Sequence, residues 1–251
     1  MRLAALFDIH GNLPALEAVL AELRMLDVDR IVIGGDVLPG PMPRETLALL
    51  RGLDIPCDFI HGNGDREVVT RRRGLDSTGV PDEFRGLIQW VADEIDDADE
   101  AWLASWPSSC SVDVPGWGSV FFCHATPRND VDIFTRATPE DVLAPLFASV
   151  PASLVVCGHT HMQFDRTIGK RRVVNAGSVG MPFGVPGAEW LLLGPEVAHR
   201  RTSYNLADAA DRVRRTHYPL AEEFAARNIL QPPSEAEMIA AFSKAEVKLA
   251  G

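Results

Sequence analysis

The chain has 251 residues, 46% hydrophobic and 24% charged, an ordinary balance for a globular protein able to bury one large core. Its formal charge of −11 argues against a general affinity for the nucleic-acid backbone or for anionic membranes, and leaves a small phosphorylated substrate held by cations open. No apolar run is long enough to span a membrane, and the run Leu3 to Phe7 lacks the length and cleavage site of a signal peptide.

The elements alternate from the start. Leu3 to Phe7 reads as a buried strand, followed by a helix with Asn12 as N-cap and Pro14 in its first turn. Leu13, Leu16, Val19, Leu20, Leu23 and Leu26 repeat along that helix at helical spacing. A second strand at Arg30 to Ile33, a helix over Arg44 to Leu53 and a third strand at Cys57 to Ile60 complete a β-α-β-α-β run. That order predicts parallel strands joined by right-handed crossovers. Helices are expected over Gly64 to Arg73, Asp82 to Ile95 and Asp99 to Trp106. Strands return at Val112 to Val114, Ser119 to Cys123 and Leu154 to Cys157, with a helix near Pro139 to Ala148 between the last two. Further strands are expected at Phe164 to Ile168, Arg171 to Asn175, Trp190 to Leu193 and Val197 to Thr202, with Gly169-Lys170 as a tight hairpin turn. From Leu206 the pattern is helical, cut by Pro219 and Pro232-Pro233 into three short helices. The chain reads as one domain over residues 1–251, with a core over about 1–204 and a helical appendage over about 205–251. Cys57, Cys110, Cys123 and Cys157 lack metal-ligand spacing and read as small core residues, which fits a reducing cytoplasm.

Five polar clusters follow apolar runs: Asp8-Ile9-His10, Gly35-Asp36, Gly62-Asn63-Gly64-Asp65, His124, and Gly158-His159-Thr160-His161. In an open α/β sheet functional groups gather at the C-terminal ends of strands, so five separate strand ends can share one rim. The clusters offer seven candidate metal ligands: Asp8, His10, Asp36, Asn63, His124, His159 and His161. Carboxylate, imidazole and amide donors together suit manganese first, with iron, zinc, cobalt or nickel as alternatives and magnesium disfavoured by so many histidines. A carboxylate such as Asp36 can bridge two cations about 3.5–4 Å apart. Arg128, four residues after His124, is a candidate for holding a non-bridging phosphate oxygen. His61 precedes Gly62 and reads as a structural strand-end histidine. The Arg71-Arg72-Arg73 and Lys170-Arg171-Arg172 runs read as solvated charge.

The order of these clusters resembles that of the calcineurin-like metallophosphoesterases, whose pattern runs D-x-H, G-D, G-N-H-D/E, a His, and G-H-x-H. The stretch Val174-Asn175-Ala176-Gly177-Ser178-Val179-Gly180 is similar to the N-P-G-S-V-G segment of the small bacterial and archaeal phosphodiesterase branch, with Ala176 in place of the proline. The resemblance implies a four-layer α/β/β/α sandwich of two mixed sheets, with two divalent metal ions at one end. It implies one ion on Asp8, His10, Asp36 and His161 and the other on Asp36, Asn63, His124 and His159, with Asp36 bridging and a metal-bridging hydroxide attacking the phosphate ester. It also makes Asp65 a catalytic candidate and Asn63 a substrate contact. The departure is Gly64, where much of the family carries a histidine associated with phosphate binding and leaving-group protonation.

These readings make the chain a phosphoesterase, with phosphodiesters or activated esters favoured. A phosphomonoesterase, a protein phosphatase, a dinucleoside polyphosphate hydrolase and a non-catalytic scaffold of the same fold are the alternatives. A small phosphorylated substrate is expected, with no membrane or nucleic-acid polymer as partner and a homo-oligomer left open. The substrate-pocket walls are expected from the Asp76 to Asp99 region and the C-terminal helices.

Overall fold

The computed structural model describes residues 1–76 and 80–247, so residues 77–79 of the expected wall region and the last four residues lie outside it. Strands β1 (Leu3–Leu6), β2 (Arg30–Ile33) and β3 (Cys57–Phe59) pair in parallel, with α1 (Leu13–Met25) and α2 (Pro43–Arg51) as crossovers. The local chemistry explains α1: Asn12 Oδ1 accepts from Ala15 N at 3.3 Å, Pro14 sits in the first turn, and the Leu13, Leu16, Val19, Leu20 and Leu23 stripe is buried. Three helices follow: α3 (Asn63–Arg72), α4 (Asp82–Glu94) and α5 (Asp97–Ala104). The last begins two residues before the expected Asp99, because Asp96 caps it and Asp99 returns the bond to the Asp96 amide.

The chain then builds a second sheet from β4 (Ser109–Val114), β5 (Gly118–Cys123), β6 (Leu154–Cys157), β7 (Phe164–Ile168) and β8 (Arg171–Asn175), with α6 (Glu140–Phe147) before β6. Its order is β4-β5-β6-β8-β7, with β5, β6 and β8 parallel. Strand β4 starts at Ser109, earlier than its apolar pattern, because Ser109 pairs across to Cys123. The β7–β8 turn is the expected Gly169-Lys170 hairpin, with Ile168 opposite Arg171. Strands β9 (Ala188–Leu193) and β10 (Val197–Thr202) return to the first sheet, whose order is β10-β9-β1-β2-β3.

Each central strand is apolar on both faces because each sheet is covered twice. Leu3, Ala5 and Val32 meet Val120, Phe122 and Val156 between the sheets. Ala4, Leu6, Ile31 and Ile33 face the helices of the first sheet, while Val155, Cys157 and Val173 pack with Leu143 and Phe147 of α6. These three apolar layers make the α/β/β/α sandwich. All four cysteines are free, and Cys123 and Cys157 are buried. Among the described residues no helix is long and apolar enough to cross a membrane. The arginine runs are paired: Arg71, Arg72 and Arg73 with Asp76, Asp97 and Glu100, and Arg172 with Asp165.

The C-terminal helical segment packs on the main domain. It folds as α7 (Leu206–Arg214), α8 (Ala221–Phe224) running into a π-helical turn at Ala225–Leu230, and α9 (Glu235–Phe242). Ala209, Ala210, Val213, Phe224, Ala225 and Ile229 are buried in the same apolar cluster as α1 and the outer face of the first sheet. The Ala-rich composition does not name the buried positions, since a small residue becomes a core residue only when another helix packs against it. Phe224→Ala is therefore expected to lower the free energy of unfolding by about 3 kcal/mol or more. Urea denaturation read by circular dichroism checks this; a change below about 1 kcal/mol is what a loosely attached appendage would give.

Candidate metal centre

The five clusters lie at the C-terminal ends of the parallel strands β1, β2 and β3 of one sheet and β5 and β6 of the other. The loops after β1 and β2 are laced side by side by Asp8 N to Gly35 O (3.0 Å), His10 N to Asp36 O (2.9 Å) and Gly11 N to Val37 O (2.9 Å). Among the described residues, six non-glycine residues have left-handed backbone, and five are candidate ligands: Asp8 (φ 54°), His10 (47°), Asp36 (49°), His159 (67°) and His161 (53°). That conformation costs roughly 1–2 kcal/mol per residue. It is tolerated here because the lacing bonds hold the loops, and it turns each side chain back over the strand ends.

The side chains converge in two groups, Asp8 with His10 and His161, and Asp36 with His124 and His159, with ligand atoms inside each group within 4.8 Å of one another. His161 Nε2 lies 3.3 Å from Asp8 Oδ1, and His124 Nε2 lies 3.5 Å from Asp36 Oδ1. Asp36 also reaches the first group, its Oδ2 being 3.8 Å from His10 Nε2. Three imidazoles are oriented from behind by backbone carbonyls: His10 Nδ1 by Pro39 O (3.2 Å), His124 Nδ1 by Gly34 O (3.0 Å) and His161 Nδ1 by Met181 O (2.9 Å). Donation from Nδ1–H favours the tautomer that, in the neutral ring, presents the Nε2 lone pair to the centre.

The donor set fits divalent cations. Asp8 Oδ1 is buried without a hydrogen-bond partner, an unfavourable state that a cation relieves. His10 Nε2 and His161 Nε2 face each other at 3.2 Å, as two donors to one ion do. The Asn63 amide lies 3.0 Å from His159 Nδ1 and 3.1 Å from the Asp130 carbonyl oxygen. Alone, that contact calls for the amide nitrogen; beside a shared cation, the amide oxygen takes its place.

Electrostatics follow from burial. Burial opposes charge on His124, yet Asp36 and Asp8 raise its pKa to about 10. His161 is also raised, against its burial, by Asp8. Burial and the neighbouring His124 lower His159 to about 4, and burial with His161 lowers His10. Burial works against the Asp36 and Asp8 carboxylates too, but the surrounding imidazoles hold both below the usual range.

Other expected residues fall elsewhere. Asp65 is fully buried and accepts from Leu38 N (2.9 Å) and Gly62 N (3.0 Å), so it ties the Asp36 loop to the start of α3 and does not line the cavity beside the centre. Burial and Asp36 raise its pKa to about 7. Arg128 forms a two-point pair with Asp132 at 2.9 and 2.7 Å and does not line the cavity beside the centre. Sequence spacing could not reveal this, because the loop after His124 folds back through Thr126, Asn129 and Asp132. His61 lies 3.6 Å from Asp130, outside both ligand groups. Gly64 has no room for a side chain, since a Cβ there would stand 2.3 Å from Leu38 O and 2.8 Å from Pro39 Cδ. Its amide donates to Asp36 Oδ1 at 2.7 Å.

The Asn175–Gly180 stretch, known from sequence only by resemblance, stitches the two sheets at the centre. Asn175 Nδ2 donates to Gly158 O (2.6 Å), Ser178 Oγ to Asp8 O (2.7 Å) and Gly180 N to Asp8 O (2.9 Å). Gly158 packs so tightly that a Cβ would lie 2.4 Å from Asp8 Oδ2.

The family model of the calcineurin-like phosphoesterase superfamily domain matches residues 1–194. The chain belongs to that superfamily. Among solved structures, a metallophosphoesterase of Sphaerobacter thermophilus is similar at 27% identity and a TM-score of 0.71, covering 90% of this chain and 97% of its own. A hypothetical protein of Pyrococcus horikoshii shares the fold with a TM-score of 0.79 at 19% identity, covering 93% and 99%. An uncharacterised protein of Methanocaldococcus jannaschii is 26% identical, covering 86% of this chain and 93% of its own.

Two outcomes are expected of this member of the superfamily. Gly64→Ala is expected to destabilise it by about 1–3 kcal/mol, because the added methyl meets backbone that cannot swing away; thermal unfolding beside the parent chain measures it. Metal binding is expected to release about one to two protons at pH 7, because His124 and His161, raised in the metal-free protein, must give up protons to ligate. Affinity then rises with pH. Calorimetric titration with manganese in buffers of different ionisation enthalpy reads the release directly, and proton uptake would contradict the assignment.

Proposed function

We propose that this protein is a two-metal phosphodiesterase acting on a small phosphorylated compound, with manganese as the first choice of ion and the cytoplasm as its compartment. The observation that carries the reading is the pair of ligand groups facing across Asp36 and opening on a cavity of about 450 Å³. When bound, divalent ions at such a pair supply a water of lowered pKa and offset the charge of a phosphoryl transition state.

The chain's own residues do the arranging. Asp36 reaches both groups and would be shared by ions held there, while Asp8, His10 and His161 would complete one set and His124, His159 and Asn63 the other. The Gly34, Pro39 and Met181 carbonyls keep the imidazoles turned inward, so little reorganisation is needed when charge develops. Asn63 also lines the cavity and stands where a phosphate oxygen would be received.

The preference for diesters rests on Gly64. A monoester of an aliphatic alcohol leaves as a poor alkoxide and benefits most from a proton donor. The position that carries an imidazole in much of the family is closed here by Leu38 O and Pro39. Activated esters, with weakly basic leaving groups, depend less on such a group, and the likeness of the Val174–Gly180 stretch to the phosphodiesterase branch supports the diester.

With manganese, bis(p-nitrophenyl) phosphate is expected to be hydrolysed faster than p-nitrophenyl phosphate, and aliphatic monophosphates slowest. Asp36→Asn is expected to lower turnover about a hundredfold or more. Rapid turnover of aliphatic monophosphates with diesters untouched would overturn the diester preference. The absence of both bound metal and metal-stimulated activity would make the protein a scaffold.

A further inference from the structure

His161 owes its orientation to a loop that follows it by some twenty residues. Met181 O accepts from its Nδ1 at 2.9 Å, and Phe183 N donates back to His161 O at 3.3 Å. The Phe183 ring then lies against the imidazole, with centroids 5.4 Å apart and planes 27° apart. One hydrogen bond at Nδ1 points a ring but leaves it free to turn about that bond. A flat neighbour on its face fixes the plane as well. Among the described residues, no other candidate ligand has a Phe, Tyr or Trp ring stacked on it.

Phe183 is held in turn by a segment far away in the sequence. Its ring meets Phe242 of α9 at 6.1 Å, and the next residue, Gly184, donates its amide to Pro233 O at 2.8 Å. Helix α9 opens on a capping box between Ser234 and Glu237, yet none of its residues is buried. It is tied down near its two ends instead. Glu235 pairs with Arg136, Glu246 Oε1 accepts from Thr138 Oγ1 at 2.8 Å, and Val247 N donates to Ile133 O at 2.8 Å. Residues 133–138 lie between β5 and α6, and Val247 packs on the apolar cluster behind the second sheet. Residues 231–247 therefore form a strap from the helices of the first sheet to the side of the second, crossing the loop that backs His161. A segment with so little buried surface opens at low cost. The strap also lies beyond residues 1–194, which the superfamily model matches.

We propose that Phe183 is a positioning residue for the ligand His161, and that the C-terminal strap holds Phe183 in place, so that docking of α9 and binding of the ion on Asp8, His10 and His161 favour each other. The inference rests on the two-ion reading. An unsupported imidazole must be ordered when an ion arrives, and the stacked ring does this in advance. By linkage, whatever the docked strap adds to ion affinity, the bound ion adds to docking of the strap. The second ligand group is supported differently. His124 lies so close to the Gly35 and Gly62 backbone that a Cβ on either would stand 2.8 Å from its ring. The second ion thus serves as an internal control.

The test is calorimetric titration of the full chain with manganese, which resolves the two ions. Phe183→Leu keeps an apolar side chain but removes the flat face; it should weaken one binding event about three- to tenfold and leave the other within about twofold. Phe242→Ala, on a helix without buried residues, should keep the parent's thermal midpoint and weaken the same event by a smaller factor, about two- to fivefold. It carries the comparison alone if Phe183→Leu does not fold. In the parent, manganese should slow amide hydrogen exchange in α9 several-fold, and Phe242→Ala should abolish that slowing. Unchanged affinities, equal losses at both ions, or exchange in α9 that ignores manganese overturns the inference while leaving the two-ion reading intact. If the parent binds fewer than two ions, that reading fails instead, and the metal-free protein decides. At one fixed pH the carbon-bound ring protons of His161 should carry the ring-current shift of Phe183 in the NMR spectrum. Loss of part of that shift in Phe242→Ala supports the strap, and shifts identical to the parent's overturn it.

Discussion

Two carboxylates, Asp8 and Asp36, are withdrawn almost completely from water at the ends of adjacent strands. A buried carboxylate is sustained only by opposing charge and well-placed donors. The architecture around them supplies both. Imidazoles arrive from the Asp8 loop itself and from two further loops, and backbone amides of His159 and Gly64 donate to Asp8 Oδ2 (2.9 Å) and Asp36 Oδ1 (2.7 Å). What is left over, Asp8 Oδ1 and the facing Nε2 atoms of His10 and His161, is the part that only a cation completes. The left-handed backbone at five ligand positions is the local strain that this convergence requires, and the hydrogen bonds between neighbouring loops hold it in place.

The same crowding decides what the centre lacks. Asp36 is held by the Gly64 amide, and Asp65 pulls the Leu38 amide towards α3. These bonds bring the Leu38–Pro39 backbone onto Gly64 and close the space an imidazole would need. The missing histidine is therefore a property of the packing as well as of the sequence. Polar chemistry reappears one helical turn further on, at Glu67, where α3 meets the apolar cavity rather than the Asp36 loop.

Stability and site are coupled through the C-terminal helices. Phe224 is a core residue of the first sheet's helical layer and also a wall of the cavity. The π-helical turn that follows carries Arg227 and Asn228 to the same cavity, while Ala225 and Ile229 point into the core. An irregular turn of this kind shifts the faces of a helix relative to each other, which is how one short segment serves two surfaces.

The sequence by itself determined the alternation of strands and helices, the N-cap at Asn12, the hairpin at Gly169-Lys170, and a set of donors whose types suit divalent ions. These depend on periodicity and residue chemistry within a few positions, which is the range over which a sequence is directly readable. The tertiary structure decided which groups meet. It paired Arg128 with Asp132, turned Asp65 into a clamp between loops, and made the Ala-rich C-terminal helices part of the core. It also set the Asn175–Gly180 stretch between the two sheets. Each of these depends on contacts between segments far apart in the chain, and on whether a Cβ, a carbonyl or a guanidinium already fills the space, which no local pattern encodes.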